Sequence, residues 1–365
     1  MNTEFKHKLA QVRGLLKPNK ASAVLLCRQS NFSWLTCGGE AHVALISERA
    51  ACQLVVTAKD VFLIANRIEL PRLLNEEVRS LPLKPVIHDW YHATGAAQAL
   101  EKIADPATMI SDTGDFGTRP MPELISPLRY SLHPAEVKRL RELCRLAEKA
   151  MAETCRAIKP GQDEFEIGAQ LSAACQNRRL TPVVLLVAVD DRIRQYRHPL
   201  PTAKKLRRIA MLVLCARQHG LIVSLTRLVH FGEVPADLAR RHDAACAVDA
   251  VFISNTRIGT PVREIFRRGI ATYAKQGFPD EWQLHHQGGP CGYQTREYLA
   301  TSAAAGVVLQ NQAFAWNPSI TGTKSEDTIL ATPRGPQILT ASHNWPSLKF
   351  TIDGETYLRP DILVQ

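Results

Sequence analysis

Apolar residues recur at helical spacing from Ala135 to Ile158, at Val137, Leu140, Leu143, Leu146, Ala147, Ala150, Met151 and Thr154. That period places them on one face of a single long helix. Pro134 suits its first turn, and Lys159-Pro160-Gly161 ends it. A second helix is predicted from Asp163 to about Arg178. The runs VVLLVAV (183–189), IAMLVLC (209–215) and HGLIVSLTRLVHFGE (219–233) read as strands, with a turn at Gly220. Two further helices follow, over 236–254 and 261–276, and the remainder is strand-rich through HHQGG, VVLQNQAFAWNP and TKSEDTILAT. Helix pair, strands, helix pair, strands implies an internal duplication, with helices covering one face of a curved antiparallel sheet.

The first part of the chain has a different rhythm. A short helix over Phe5 to Leu16 precedes strand candidates at 21–27, 32–36, 42–47, 51–57 and 60–65, and SERA (47–50) reads as a hairpin turn. The proline-bearing connection TRPMPELISPLRYSLHPAE then leads into the long helix. The expected division is a smaller α/β domain over 1–125 and an α+β domain over 126–365.

A chain of 365 residues, 45% hydrophobic and 22% charged, is long enough for two substantial cores. The charged N-terminus lacks a signal-peptide pattern and no segment has a membrane-spanning apolar run, so a cytoplasmic protein with no membrane partner is expected. Nine scattered cysteines without a C-x-x-C pair suggest neither a disulfide framework nor a zinc ribbon. The net charge of +10 admits an anionic ligand. Basic residues are interleaved with acidic ones, however, and no nucleic-acid partner is expected. The densest basic run, RIRQYRHPLPTAKKLRR, surrounds His198.

Candidate chemistry concentrates in LHHQGGPCGY (284–293). Adjacent side chains on a strand point to opposite faces, so in an extended ladder only one of His285 and His286 enters a given pocket.

The order of segments, with KPGQDEFEIGAQL after the long helix, resembles the pita-bread domain of the creatinase, aminopeptidase P and methionine aminopeptidase superfamily. NFSWLTCGG (31–39) is similar to a strand end in creatinase and prolidase N-terminal domains, so the resemblance spans the whole chain. In that family two aspartates, a histidine and two glutamates hold two metal ions. TKSEDTIL retains Glu326, and His286 ahead of Gly289 fits the histidine. Cys215 and Ser224 stand at the aspartate positions, with Thr226-Arg227 retained, and Asn317 stands for the glutamate before proline. Two divalent cations need several carboxylates to offset and bridge them, so the substitutions argue against a dinuclear centre. One zinc on Cys215, His286 and Glu326 is the chemically admissible alternative; the expectation is that no metal or other cofactor is held.

By resemblance, His198 in YRHPLPT takes the place of the histidine that moves protons in the family, at the usual spacing ahead of Cys215. An imidazole suits that role near neutrality. Tyr293 stands where a second histidine is expected and can donate to an oxyanion. Arg296 and Glu297 either line the same cavity or form a surface ion pair, and Arg197 can attract a carboxylate. The implied function is a metal-independent, creatinase-like hydrolase of a C–N bond in a small, possibly carboxylate-bearing substrate. His198, Glu326, His286 and Tyr293 would act in catalysis, and Asn317, Arg296, Glu297 and Arg197 in binding. A divergent Xaa-Pro metallopeptidase, a lyase on the same residues and a non-catalytic pseudo-peptidase remain open. Family dimers imply a homodimer.

Overall fold

The computed structural model describes residues 3–342 and 344–365. The chain divides into two compact units, one of residues 1–136 with 219–221 and the other of 137–218 with 222–365. The division falls in the first turn of the long helix, Pro134–Ala157.

In the first unit a six-stranded mixed sheet is built in the order 84–88, 61–66, 49–57, 23–28, 110–111, 119–120. The central pairs are antiparallel and the outer ones parallel. Its core is apolar on both faces, with Leu25, Val55 and Ile64 buried on one and Leu26, Leu54 and Leu63 on the other. Two expected strands do not form. Residues read as the strand 32–36 belong instead to the helix Gln29–Leu35, in which Asn31, Phe32, Ser33, Trp34 and Leu35 are all buried. An element buried on nearly every side, polar residues included, carries no readable period. What fixes it is tertiary: the Asn31 amide donates to Asp112 at 2.7 Å and accepts from Arg129 at 2.5 Å. The expected strand at 42–47 is a series of bends and turns with Val43, Leu45 and Ile46 exposed. Consequently SERA is not a hairpin turn; Arg49 simply begins the strand Arg49–Thr57.

A buried cation closes this unit. Lys8 Nζ donates to Glu4, Glu136 and the Trp34 carbonyl, each at 2.7 Å. Three acceptors around one ammonium offset the cost of burying it.

The second unit follows the expected two rounds. The helices Pro134–Ala157 and Glu164–Gln176, the latter started by an Asp163/Glu166 capping box, precede the strands Thr181–Val189, Ile209–Gln218 and Leu221–His230. The helices Ala236–Asn255 and Val262–Lys275 precede a four-stranded antiparallel sheet of 288–291, 313–316, 327–332 and 335–338. The last strand of the chain, Leu363–Val364, lies parallel to Leu221–His230. An isolated bridge of Thr226 with Glu326 carries one sheet into the other. That junction is where the candidate site lies.

The helix pair packs tightly on the second sheet. Phe252 stacks on Trp316 at 4.7 Å between ring centroids, and a Cβ added at Gly269 would meet the Phe252 ring at 2.1 Å. No flexible side-chain end is available there to yield. Gly269→Ala is therefore expected to lose about 1–3 kcal/mol by overpacking. Gly14→Ala, where nothing lies within 4 Å, should leave the melting temperature unchanged or slightly higher. Thermal melts of the two variants check this.

Candidate active site

Glu326 is the centre of the site. The segment Thr323–Asp327 is extended, so its side chains alternate between two faces. On one face Lys324 and Glu326 point into a cavity of about 320 Å³. On the other, Thr323 bonds His242 Nδ1 at 2.6 Å, Ser325 donates to Asp249 at 2.6 Å, and Asp327 accepts from Arg227 at 2.9 Å and Arg359 at 2.7 Å. Arg359 also pairs with Asp249 at 2.7 Å and is wholly buried. These bonds tie every second residue of the segment to the helix and strands behind it, which holds the alternate side chains toward the cavity.

Within the cavity Glu326 is bound on both oxygens. Oε1 accepts from Arg296 Nη2 at 3.0 Å, and Oε2 accepts from Thr226 Oγ1 at 2.7 Å and pairs with Lys324 Nζ at 2.8 Å. Burial raises its carboxyl, but the Lys324 and Arg296 charges and the hydrogen bonds from Lys324 and Thr226 outweigh that and bring it from 4.5 down to about 2. Arg296 Nη1 also donates to Ser224 Oγ at 3.2 Å, and Ser224 Oγ lies 3.2 Å from Cys215 Sγ. Burial, with Glu326 nearby, pushes the Cys215 thiol up, so it is neutral. Val184, Leu186 and Val213 form the apolar wall, and Asn317 presents a buried Oδ1 with no hydrogen-bond partner.

Three histidines meet at the mouth. His198 Nε2 is 3.0 Å from His285 Nε2, and the His286 ring stacks on His285 with centroids 4.5 Å apart. His198 is exposed, His285 buried and His286 half-buried. His198 and His286 line the cavity and His285 supports them from behind. Desolvation and then Lys324 lower His198; desolvation brings His285 to about 2; and desolvation with Arg296 brings His286 to about 4. All three rings are neutral at pH 7.

His286 lines the cavity and His285 packs behind it against His198, but strand alternation is not the reason. Residues 281–284 form a 3-10 turn and the strand begins only at Gly288, so the histidine pair stands outside any ladder and strand alternation does not apply. His198, His286, Asn317, Arg296, Cys215 and Glu326 line the cavity, with Ser224 hydrogen-bonded to Arg296 behind it. Three other candidates lie outside the lining. Tyr293 is buried, with its backbone N–H donating to Glu297 Oε1 at 3.1 Å, and Arg197 is drawn off by Glu281 at 2.6 Å and Thr321 at 3.0 Å. Arg296 turns inward to Glu326, and so is no surface ion pair with Glu297. Lys324 was not foreseen; its signal is its place two residues before Glu326 in an extended segment, on the same face.

The residues at the ligand positions do not fit two metal ions. The one carboxylate is already shared by two fixed cations, Cys215 and Ser224 bond each other, and Asn317 is neutral. Nor are Cys215, His286 and Glu326 brought together as a zinc site: among the described residues, the only group of three or more His, Cys, Asp and Glu donors that converges within 4.8 Å is His198, His285 and His286.

The family model described as Metallopeptidase family M24 matches residues 138–333. An uncharacterized peptidase of Staphylococcus saprophyticus is 21% identical over 358 residues, covering 91% of this chain and 99% of its own. The solved Xaa-Pro dipeptidase from Bacillus anthracis superposes with a TM-score of 0.78 at 16% identity, covering 99% of this chain and all of that one. The N-terminal domain of FACT complex subunit SPT16 from chickpea superposes with a TM-score of 0.71 at 10% identity, covering 93% and 96%. The two-domain pita-bread fold is thus shared, while these identities extend the likeness no further than fold.

Glu326 ties its two cations to the fold, which fixes an expected acid response. Its folded-state carboxyl lies near 2 against an ordinary 4.5, so its contribution is full above 4.5 and is lost as the pH falls toward 2. His285 and His286, lowered from 6.5 to about 2 and about 4, act in the same direction, because the unfolded chain takes up protons that they do not. Melting temperature should therefore decline on acidification from about pH 6.5. Glu326→Gln leaves Lys324 and Arg296 unpaired and is expected to cost about 3–5 kcal/mol at pH 7, with a shallower loss below pH 4.5. Melts of wild type and variant across that range check both.

Proposed function

The chain belongs to metallopeptidase family M24, and we propose that within it this protein is a metal-independent hydrolase that cleaves a C–N bond in a small, carboxylate-bearing substrate. One observation carries the reading: two fixed cations, Lys324 and Arg296, share a single carboxylate beside neutral imidazoles in one cavity. The surplus positive charge favours an anionic group on the substrate, and a guanidinium fork suits a carboxylate. The unpartnered Asn317 Oδ1 is an acceptor for a substrate N–H, which makes it discriminating, since an unmatched buried acceptor is costly.

His198, exposed at the mouth and neutral, takes a proton from water as its oxygen bonds to the substrate carbon. The resulting imidazolium returns that proton to the nitrogen as the C–N bond breaks. Depression of its pKa keeps the ring in the accepting form at pH 7. The site offers no carboxylate-rich Lewis-acid centre, so the carbon attacked must be electrophilic in its own right, as in an amidine or guanidinium. His286 and His285 hold the ring of His198 in place. A non-catalytic ligand-binding role is the second reading, favoured by the substituted ligand positions; it predicts binding of carboxylate-bearing amidines without turnover.

His198→Ala should lower turnover about 10²–10⁴-fold with an unchanged melting temperature. The rate should be full at neutral pH and fall on the acid side with an apparent pKa below 6.5, because a proton on His198 removes the acceptor. Near-normal rates in the variant, or activity abolished by chelation and restored by manganese, would defeat the proposal. The assembly we expect is a homodimer, which light scattering at micromolar concentration measures; a monomer would contradict it.

A further inference from the structure

His285 has no place in the family-derived ligand set, yet the fold buries it against the two histidines that line the cavity. Its Nε2 lies 3.0 Å from that of His198, its ring stacks on His286, and its Nδ1 is buried without a hydrogen-bond partner. The Gly288 N–H donates to His286 Nδ1 at 3.3 Å, so ligation through Nε2 requires the ring proton to move to Nδ1 and this contact to open. One ring nitrogen from each of the three lies within 4.8 Å of the others. Two ligands about 2.1 Å from a tetrahedral ion sit about 3.4 Å apart. Ligation therefore asks for ring rotation and for each neutral imidazole to carry its proton on the nitrogen that does not face the ion.

We propose that His198, His285 and His286 bind one borderline transition-metal ion, with zinc as the fitting class, and that the bound ion inhibits the protein. The donors are all neutral nitrogen, a set that selects zinc, copper, nickel or cobalt over manganese, magnesium or calcium, which prefer oxygen. Only His286 belongs to the ligand positions considered above, so this centre differs from a carboxylate-bridged pair in composition and metal preference. The fourth coordination position opens on the cavity that His198 and His286 line. Coordination takes the lone pair by which His198 accepts a proton, so the ion blocks proton transfer. Lys324 and Arg296 oppose a dication nearby, and binding should be reversible by chelator. The inhibition rests on the reading of His198 given above; the binding does not.

Equilibrium dialysis of the full chain against zinc, with cobalt(II) added separately as a spectroscopic probe, tests this. The expected result is one zinc per chain, a tetrahedral cobalt spectrum, no uptake of manganese, and turnover that falls with zinc and returns on chelation. His285→Ala and His286→Gln, each first checked by thermal melting for folding, should bind zinc at least about ten-fold more weakly, a loss typical even of removing a group that only supports a ligand. Folded wild type that binds no zinc, or zinc binding undiminished in both variants, overturns the site. Zinc bound through these histidines that raises turnover supports the site and overturns His198 as the proton acceptor.

Discussion

A single buried carboxylate between two cations organises this site. Glu326, 2% exposed, pairs with Lys324 and Arg296 and accepts from Thr226. Removing the carboxylate leaves two uncompensated cations in a partly dry cavity. The same bridge of Thr226 to Glu326 joins the two sheets of the second unit, so the electrostatic centre and the architectural junction coincide. Rigidity of the segment comes from its opposite face, where Asp327, Arg359 and Asp249 form a buried ion network.

In a dinuclear member of the family, carboxylates balance metal charge. Here the positive charge is built into the chain as an ammonium and a guanidinium, and the carboxylate count has fallen to match. Positions that would otherwise repel one another without a metal are replaced by groups that bond directly: Cys215 with Ser224, and Ser224 with Arg296. Fixed cations cannot polarise a carbonyl as a divalent ion does, but they can bind an anion, and the proposed reaction accordingly places the demand for activation on the substrate. In the reaction proposed above, the histidines carry the protons.

Much of this was legible in one dimension. The long amphipathic helix, the paired helices after it and the strand-rich remainder follow from period and stop signals, and Glu326, His198, Cys215, Ser224 and Asn317 could be located by their place in recognisable segments. Elements without a period were misread: NFSWL is buried on every side and takes helical form through Asn31 and its partners, and HVALIS has strand composition without becoming one. A strand needs a neighbour to bond, which composition does not supply.

The sequence by itself determined the family's order of elements, the loss of carboxylates at its ligand positions and the survival of one glutamate and several histidines. Only the tertiary structure decided what replaced the missing charge. Lys324 and Arg296 lie 28 positions apart and close on one carboxylate because a bridge and a turn bring their segments together. It also decided that His285 reaches His198, 87 positions away, because a 3-10 turn ahead of the strand releases the pair from alternation. Charge pairing and imidazole contact depend on distances of a few ångströms between remote segments, and such distances are set by packing rather than by local pattern.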